Sequence, residues 1–178
     1  MRLFISIEIS EKLKDKIVDL QQKFKDFHIK LVERENLHFC LMFIGDVEED
    51  KLDLIKTAMN NVSKINKFEI GIAGIGAFPN KDLASVFFLD IKEGRKNMIN
   101  LALLLRKELP DFKSGKPFTP HLTLGRIKSD NDKLKPIFNK VENIDIGKMT
   151  VDKMVLISSK LTVKGPIYVE MYSVRLTL

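Results

Sequence analysis

The chain has 178 residues, of which 44% are hydrophobic and 30% charged, with only 9 Gly and 6 Pro. This composition is typical of one compact globular domain and argues against a disordered chain or a repeat array. A single Cys cannot form an internal disulfide, and the net charge of +6 favours polyanionic partners such as RNA, DNA or phosphorylated metabolites, although a solvated lysine-rich surface accounts for it equally well.

The first predicted element is a strand over residues 2–9, because its side chains show a period of two. That alternation differs from the continuous apolar core of a signal peptide, and no apolar run along the chain is long enough to span a bilayer. We therefore expect a cytoplasmic protein that makes no membrane contact. Ser10 is expected to cap a following amphipathic helix over residues 11–27.

The next elements lead to the first of two similar motifs. A short strand over residues 29–32 precedes a longer strand that contains His38 and Cys40. Because successive side chains of a strand point to opposite faces, these two share one face while their apolar neighbours take the other. The strand therefore presents an imidazole beside a small hydrogen-bonding group on an apolar backing. A second amphipathic helix is predicted over residues 49–65.

The middle of the chain is predicted to form two strands and a helix. The strands lie at residues 68–77 and 85–91, and the helix over residues 95–109 is stopped by Pro110. Three glycines occur within the first of these strands. They do not form a phosphate-binding loop, since neither a Lys-Ser/Thr pair nor a helix follows them, and a bent or bulged strand is the favoured interpretation.

A second motif strand follows a loop over residues 111–117. It contains His121 and Thr123, whose side chains share a face as in the first motif. Strict alternation places Arg126 on the opposite face. Arg126 joins the other two only if Gly125 breaks the alternation by a bulge or a strand end.

The last third of the chain is predicted to contain one more helix and two strands. The helix covers residues 131–141, where Pro136 requires either a late start or a kink. The strands cover residues 148–158 and 168–177, and a Gly-Pro turn joins them.

Both motif strands end in Gly and precede a helix, and their histidines lie 83 residues apart, at 38 and 121. This pattern looks like an internal duplication. Short loops and alternating strands favour antiparallel pairing. We therefore predict a single domain over residues 1–178 with a bilobal α+β fold. Its two antiparallel sheet-and-helix lobes are expected to be related by a pseudo-two-fold axis, with an active-site cleft between them in which the histidines face each other.

The two motifs read as His, any residue, a small polar residue and Leu, at residues 38–41 and 121–124. On these residues the chain resembles the two-histidine (2H) phosphoesterases, and within them the RNA 2′,3′-cyclic phosphodiesterases once called 2′-5′ RNA ligases. Further similar stretches cover nearly the whole chain in order. They are RLFISI at 2–7, NLH at 36–38, FIG at 43–45, GAFP at 76–79, FTPH at 118–121 with Arg126 beyond it, and Ser159 and Leu161 followed by GP at 165–166 and Tyr168.

The resemblance implies an enzyme that opens the 2′,3′-cyclic phosphate at RNA ends to a 2′-phosphate without a metal or another cofactor. It also implies reversible joining of RNA ends through a 2′-5′ linkage. By similarity, His38 is the acid at the leaving O3′ and His121 is the base that takes a proton from water. Histidine suits both tasks near neutral pH, and each assisted proton transfer contributes about 10²–10⁴-fold in rate.

The resemblance also implies contacts with the substrate. Thr123 is expected to hydrogen-bond a non-bridging phosphate oxygen, and Arg126 to donate to the same phosphate. Tyr168 is interpreted as a platform for base stacking. Cys40 stands where the family has Thr or Ser. Because a thiol is a poorer hydrogen-bond donor than a hydroxyl, Cys40 should bind the phosphate more weakly than Thr123 does. Lys81 is a candidate for a contact that relatives make through an Arg.

Other interpretations stay open from the sequence. Cys40 favours an RNA-end or nucleotide-binding module with weak or no turnover, and a third possibility is an enzyme for small nucleotide cyclic phosphates or a 2′-5′ oligoadenylate. His28 lacks the motif context and is interpreted as structural. Cys40 is interpreted as a small packing residue in preference to a nucleophile. No fourth ligand accompanies His38, His121 and Cys40 for a metal. We expect a monomer.

Overall fold

The structure is a computed structural model that describes residues 1–112, 115–129 and 131–178. The described part of the chain forms nine strands and four α-helices. In chain order they are β1 Arg2–Glu8, α1 Glu11–Gln21, β2 Ile29–Leu31, β3 His38–Asp46, α2 Leu52–Val62, β4 Phe68–Phe78, β5 Val86–Glu93, α3 Arg95–Glu108, β6 Leu122–Ile127, α4 Asn131–Val141, β7 Asp145–Val151, β8 Lys153–Leu161 and β9 Pro166–Arg175.

The strands form two sheets, in which every neighbouring pair of strands is antiparallel. The first sheet has the order β3-β1-β8-β9 and the second has the order β2-β6-β5-β4-β7. Each sheet therefore contains one motif strand, β3 or β6. The predicted α+β fold with two antiparallel sheets is confirmed. The internal duplication, its two-fold axis and the single-domain assignment stay predictions.

Helices α1 and α3 each pack on the sheet that does not contain the strand preceding them. Helix α1 follows β1 of the first sheet but packs against β7 of the second, and α3 follows β5 of the second sheet but packs against β3 of the first. Helix α2 packs on α3 and β9, and α4 lies against β4. One hydrophobic cluster includes fully buried residues from both sheets, such as Ile5 of β1 and Phe87 of β5. Both sheets are thus anchored in a common core.

Two predicted elements differ from the structure. Helix α1 ends at Gln21, and a 3-10 turn over Gln22–Phe24 takes the place of its last part. Ser10 occupies the N-cap position, but only its backbone carbonyl accepts hydrogen bonds, from the amides of Leu13 and Lys14. The strand predicted over residues 148–158 is two strands, because the chain leaves the second sheet at the end of β7 and enters the first sheet with β8.

Other predicted elements agree with the structure within a few residues. Strand β4 is bulged as expected, with irregular pairing between Ile72 and Ile75, and Gly74 there has a φ of 82°. Helix α4 begins at Asn131 with Pro136 inside it, so the late start does not occur. The loop predicted over residues 111–117 includes residues 113 and 114, which lie outside the described residues. None of the helices in the described ranges has the length and apolarity needed to cross a bilayer.

Candidate active site

A cavity of about 570 Å³ lies between the two sheets. It is lined from both of them. All six residues that the sequence assigned to the site border it, namely His38, Cys40, Tyr168, His121, Thr123 and Arg126. The first three belong to the first sheet or its edge, and the last three belong to β6 or the residue before it. Residues that are distant along the chain therefore meet in one space.

Each motif histidine is held by the backbone carbonyl two residues before it. Nδ1 of His38 lies 2.7 Å from the carbonyl oxygen of Asn36, and Nδ1 of His121 lies 2.7 Å from that of Thr119. Because a carbonyl oxygen can only accept, Nδ1 must carry the hydrogen in both rings. In the neutral tautomer Nε2 is then the proton acceptor, and in the charged ring Nε2 is the remaining donor. Both rings are therefore prepared to exchange a proton through Nε2.

Aromatic side chains enclose both imidazoles. The ring centre of His38 lies 4.9 Å from that of Phe4 and 5.6 Å from that of Tyr168. His121 packs edge-on against Phe78 at 5.1 Å and against Phe88 at 5.5 Å. These contacts fix the position of each ring by packing and keep water from its sides.

Burial holds the pKa of His38 below its ordinary value. The hydrogen bond to Asn36 opposes this effect, and the positive charge of His121 adds to it. Desolvation favours the uncharged form of a histidine. His38 is therefore mostly neutral at pH 7 while no anion occupies the cavity.

Each motif strand has a bulge at the last residue of its motif. On β3, Cys40 pairs with Ser6 and Met42 pairs with Ile5, so that Leu41 is the extra residue. Leu41 and Met42 are both buried, and the alternation of side chains is reversed after them. Phe43 consequently turns towards the cavity, where half of its surface is exposed (50%).

Strand β6 carries the corresponding bulge. Thr123 pairs with Phe88 and Gly125 pairs with Phe87, so that Leu124 is the extra residue. Leu124 and Gly125 both face the core, and Arg126 therefore lies on the cavity side with Thr123. A Cβ on Gly125 would come within 2.7 Å of Cε1 of Phe87. Glycine therefore fits at this bulge where a larger residue would clash. The break in alternation that Arg126 needs to reach the cavity is present at Gly125.

Cys40 borders the cavity but packs with apolar residues. It contacts a small cluster of Phe4, Val155 and Ile157. Burial raises the pKa of its thiol to about 12. At neutral pH the sulfur is therefore protonated, which favours the packing interpretation over a nucleophilic thiolate.

Tyr168 forms part of the wall that holds His38. Its ring lies edge-on to those of Phe4 and His38, at 5.1 and 5.6 Å. Burial raises the pKa of its hydroxyl, and the positive charge of Arg126 opposes that rise. Phe43, with half of its surface exposed (50%), is more exposed at the cavity than the partly buried Tyr168.

Three residues of the site were missed from the sequence. They are Phe43, Arg2 and Asn36. The guanidinium carbon of Arg2 lies 5.1 Å from the ring centre of Phe43, a cation–π arrangement at the cavity. Asn36 supplies the carbonyl that holds His38, and its side-chain amide donates to the carbonyl of Pro166 at 3.3 Å. The role of Asn36 could have been found from the sequence, because Asn36 and Thr119 each precede a motif histidine by two residues.

Lys81 and His28 lie outside the residues that line this cavity. Lys81 pairs with Glu142 at 2.6 Å, so the suggested substrate contact through Lys81 finds no support in the geometry. Nδ1 of His28 lies 2.8 Å from the hydroxyl of Ser129 at the edge of the second sheet. Among the described residues, no group of three or more His, Cys, Asp or Glu side chains is arranged to hold a metal ion.

Comparison with known proteins identifies relatives along the whole chain. A family model described as the 2′-5′ RNA ligase superfamily matches residues 10–162. The chain is 36% identical over 183 residues to the RNA 2′,3′-cyclic phosphodiesterase of Methanothermobacter thermautotrophicus, covering 99% of each protein. It is 36% identical over 172 residues to the protein of the same name from Methanocaldococcus jannaschii, covering 94% of this chain and 96% of the relative.

Solved structures show the same architecture. The crystal structure of a Thermus thermophilus protein, TT0787, superposes with a TM-score of 0.85 at 26% identity, covering 99% of this chain and 98% of the other. Escherichia coli LigT, in its complex with ATP, superposes with a TM-score of 0.80 over the same shares of both chains, and its 21% identity supports the fold alone. The family model, the relatives and the two matched motifs agree, and the chain therefore belongs to the 2′-5′ RNA ligase superfamily.

Proposed function

We propose that this protein hydrolyses the 2′,3′-cyclic phosphate at RNA ends to a 2′-phosphate by acid–base catalysis with two histidines. One observation carries the proposal. His38 and His121 line the same cavity from different sheets, and a backbone carbonyl holds each ring by Nδ1 and leaves Nε2 for proton exchange. Two relatives that match almost the whole chain bear the name of this activity.

The chemistry assigns one proton transfer to each ring. Nε2 of His121 accepts a proton from water while the water oxygen forms a bond to phosphorus. The bond between phosphorus and O3′ breaks, and protonated Nε2 of His38 gives its proton to O3′. The product carries a 2′-phosphate and a 3′-hydroxyl, and the two imidazoles have exchanged charge states. A 5′-hydroxyl of a second RNA in place of water yields a 2′-5′ linkage by the same steps.

The substrate itself helps to charge His38. Burial keeps the pKa of this ring below its ordinary value in the free protein. A cyclic phosphate carries one negative charge, and a nearby negative charge favours the protonated form of a histidine. Binding of the substrate therefore prepares the acid that the leaving oxygen needs.

Contacts around the histidines fit a nucleotide phosphate and its base. The hydroxyl of Thr123 and the guanidinium of Arg126 face the cavity and supply donors for the non-bridging phosphate oxygens. Cys40 offers only a weak thiol donor in the matching place. Half of the surface of Phe43 is exposed, and the guanidinium of Arg2 lies over one face of its ring. Stacking of a base on the other face suits Phe43 better than it suits Tyr168, whose ring packs on His38.

The decisive experiment incubates the protein with a short RNA that ends in a 2′,3′-cyclic phosphate, in the presence of EDTA. We expect a 2′-phosphate product, and a loss of at least about 100-fold in rate in His38→Ala and in His121→Ala. His28→Ala is the matched control, because this third histidine lies outside the cavity lining and is expected to leave the rate unchanged.

The same experiment separates the alternative function. Tight binding of the RNA without turnover supports an RNA-end or nucleotide-binding module, for which the buried thiol at Cys40 is the specific observation. Turnover that survives both histidine substitutions would reject the two-histidine mechanism. We further propose that the protein acts as a monomer, because a single chain supplies both histidines. We also propose that it acts in the cytoplasm, where its proposed RNA substrate is found.

A further inference from the structure

Two cations lie directly opposite each other on the wall of the cavity. Lys30 of β2 pairs with Arg126 of β6 in an antiparallel register. Opposed residues in such a pair project from the same face with Cβ atoms about 5 Å apart, and like charges in this position destabilise the sheet. Both side chains line the cavity. The fold therefore concentrates positive charge at this point without an evident structural gain.

Neither member of this pair forms an ion pair with a carboxylate in the described part of the chain. Arg34, Arg95 and Arg175 each form an ion pair with an Asp or a Glu. Within residues 1–112, 115–129 and 131–178, neither Lys30 nor Arg126 has a carboxylate oxygen within 4.0 Å. An anionic ligand is the partner that this arrangement lacks.

The ammonium group of Lys30 lies at the rim that the β8–β9 turn forms. A Cβ on Gly165 would lie 3.6 Å from Nζ of Lys30 and 3.3 Å from Oε1 of Glu33. The backbone at Gly165 has a φ of 145°, which favours glycine. Glu33 therefore lies near Lys30 but beyond ion-pair distance, and its other carboxylate oxygen accepts a hydrogen bond from Nδ2 of Asn36 at 3.4 Å. Lys30, Glu33 and Gly165 all border the cavity.

The cavity has room for more than one phosphate group. Its volume of about 570 Å³ falls within the range of pockets that hold ligands of many atoms. A nucleotide at an RNA end carries its cyclic phosphate on O2′ and O3′ and the preceding phosphodiester on O5′. The two phosphates lie on either side of one ribose. Two adjacent cations on this wall, Arg126 on the strand of Thr123 and Lys30 on the neighbouring strand, offer one donor group to each phosphate.

We propose that Lys30 binds the phosphate on O5′ of the nucleotide that carries the cyclic phosphate, and that Arg126 binds the cyclic phosphate itself. This inference rests on the proposed function. In an RNA the group on O5′ is the preceding phosphodiester, so the site selects RNA ends over nucleosides with a free 5′-hydroxyl. A 5′-phosphate on a mononucleotide has the same chemistry, and the experiment separates the two sources.

The test compares four substrates by kcat/KM. They are a nucleoside 2′,3′-cyclic phosphate with a free 5′-hydroxyl, the same compound with a 5′-phosphate, a dinucleotide with a terminal cyclic phosphate, and that dinucleotide with an uncharged methylphosphonate linkage. We expect the dinucleotide to exceed the 5′-hydroxyl compound by about tenfold, and the methylphosphonate to lose this advantage. An advantage of the 5′-phosphate compound over the dinucleotide would reject RNA as the source of the phosphate.

Variants locate the effect in Lys30. In Lys30→Ala the dinucleotide should lose about tenfold while the 5′-hydroxyl compound keeps its rate, which also shows that the variant is folded. Lys30→Arg should retain the preference. Lys128→Ala is the matched control, because Lys128 directly follows β6, the strand that pairs with β2, but does not line the cavity.

The outcomes distinguish a failure of the Lys30 assignment from a failure of the proposed phosphodiesterase activity. Equal rates on all four substrates in the unmodified protein, or equal losses in Lys30→Ala on all four, would overturn the assignment of Lys30 and leave the phosphodiesterase proposal standing. An absence of hydrolysis of every substrate would reject the proposed function and this inference together.

Discussion

Phe43 and Arg126 occupy corresponding places in the two motif strands. Each lies five residues after its motif histidine, at 38 and 43 and at 121 and 126. In each strand one extra residue, Leu41 or Leu124, reverses the alternation and turns the later side chain towards the cavity. At this corresponding position one sheet therefore contributes an aromatic ring and the other a guanidinium.

Removal of the exposed ring at Phe43 should weaken substrate binding more than it slows chemistry. Stacking of a base on an aromatic side chain is worth about 1–3 kcal/mol. We expect Phe43→Ala to raise KM for a cyclic-phosphate oligonucleotide about tenfold with little change in kcat, measured by steady-state kinetics. Leu83→Ala is the control, because Leu83 is an exposed apolar residue (68%) outside the cavity lining. A fall in kcat alone would contradict the stacking role.

A side chain at Gly125 should disturb both the core and the direction of Arg126. A Cβ there would lie 2.7 Å from Cε1 of Phe87 and 2.8 Å from Cγ2 of Ile29. Overpacking of this kind costs about 1–3 kcal/mol. We expect Gly125→Ala to lower the free energy of unfolding by about that amount in urea, and to lower kcat/KM. Gly115→Ala should change neither quantity, because the added Cβ would meet no described atom within 4 Å apart from its chain neighbours.

The lowered pKa of His38 predicts that stability falls on acidification. In the unfolded chain this histidine has its ordinary pKa of about 6.5, whereas burial lowers the pKa in the folded protein. Between these two values the unfolded chain binds more protons, so the stabilisation is present above about pH 6.5 and is lost as the pH falls towards the folded-state pKa. The melting temperature should decrease over this interval.

The contribution of His38 can be isolated by His38→Asn, which cannot take up a proton. We expect this variant to show a smaller fall in melting temperature between about pH 7 and pH 5 than the unmodified protein. An unchanged pH dependence would show that other groups cause it. His28→Asn provides the comparison with a histidine outside the cavity lining.

Replacement of the thiol at Cys40 by a hydroxyl should leave activity equal or raise it. A hydroxyl is the better donor to a phosphate oxygen, and an ordinary neutral hydrogen bond is worth about 1 kcal/mol, which corresponds to a several-fold change in rate. The measurement is kcat/KM of Cys40→Thr on a cyclic-phosphate RNA. A large drop would mean that the sulfur itself has a role in the reaction.

The sequence predicted the motif strands correctly because a period of two and a buried backing determine both the element and the face of each side chain. His38 with Cys40, and His121 with Thr123, therefore border the same cavity as expected. The position of Arg126 could be stated only as a condition on Gly125, since a bulge depends on the partner strand.

Other features could not be read from local patterns. The strand after α4 continues without a break in hydrophobic pattern, yet near Asp152 it passes from the second sheet to the first. The pairing of α1 and α3 with the opposite sheet is equally a matter of tertiary packing. Phe43 was missed for a related reason, because strict alternation places it on the apolar face and only the bulge at Leu41 moves it.

The identical attachment of the two rings has a consequence for direction. The carbonyls of Asn36 and Thr119 orient His38 and His121 in the same way, so the attachment alone makes neither ring a better giver or taker of hydrogen ions. The asymmetry comes from the surroundings, which differ in the burial that lowers the pKa of His38 and in the side chains of Phe43 and Arg126. The orientation in which Phe43 and Arg126 bind a nucleotide therefore decides which imidazole lies beside the departing oxygen.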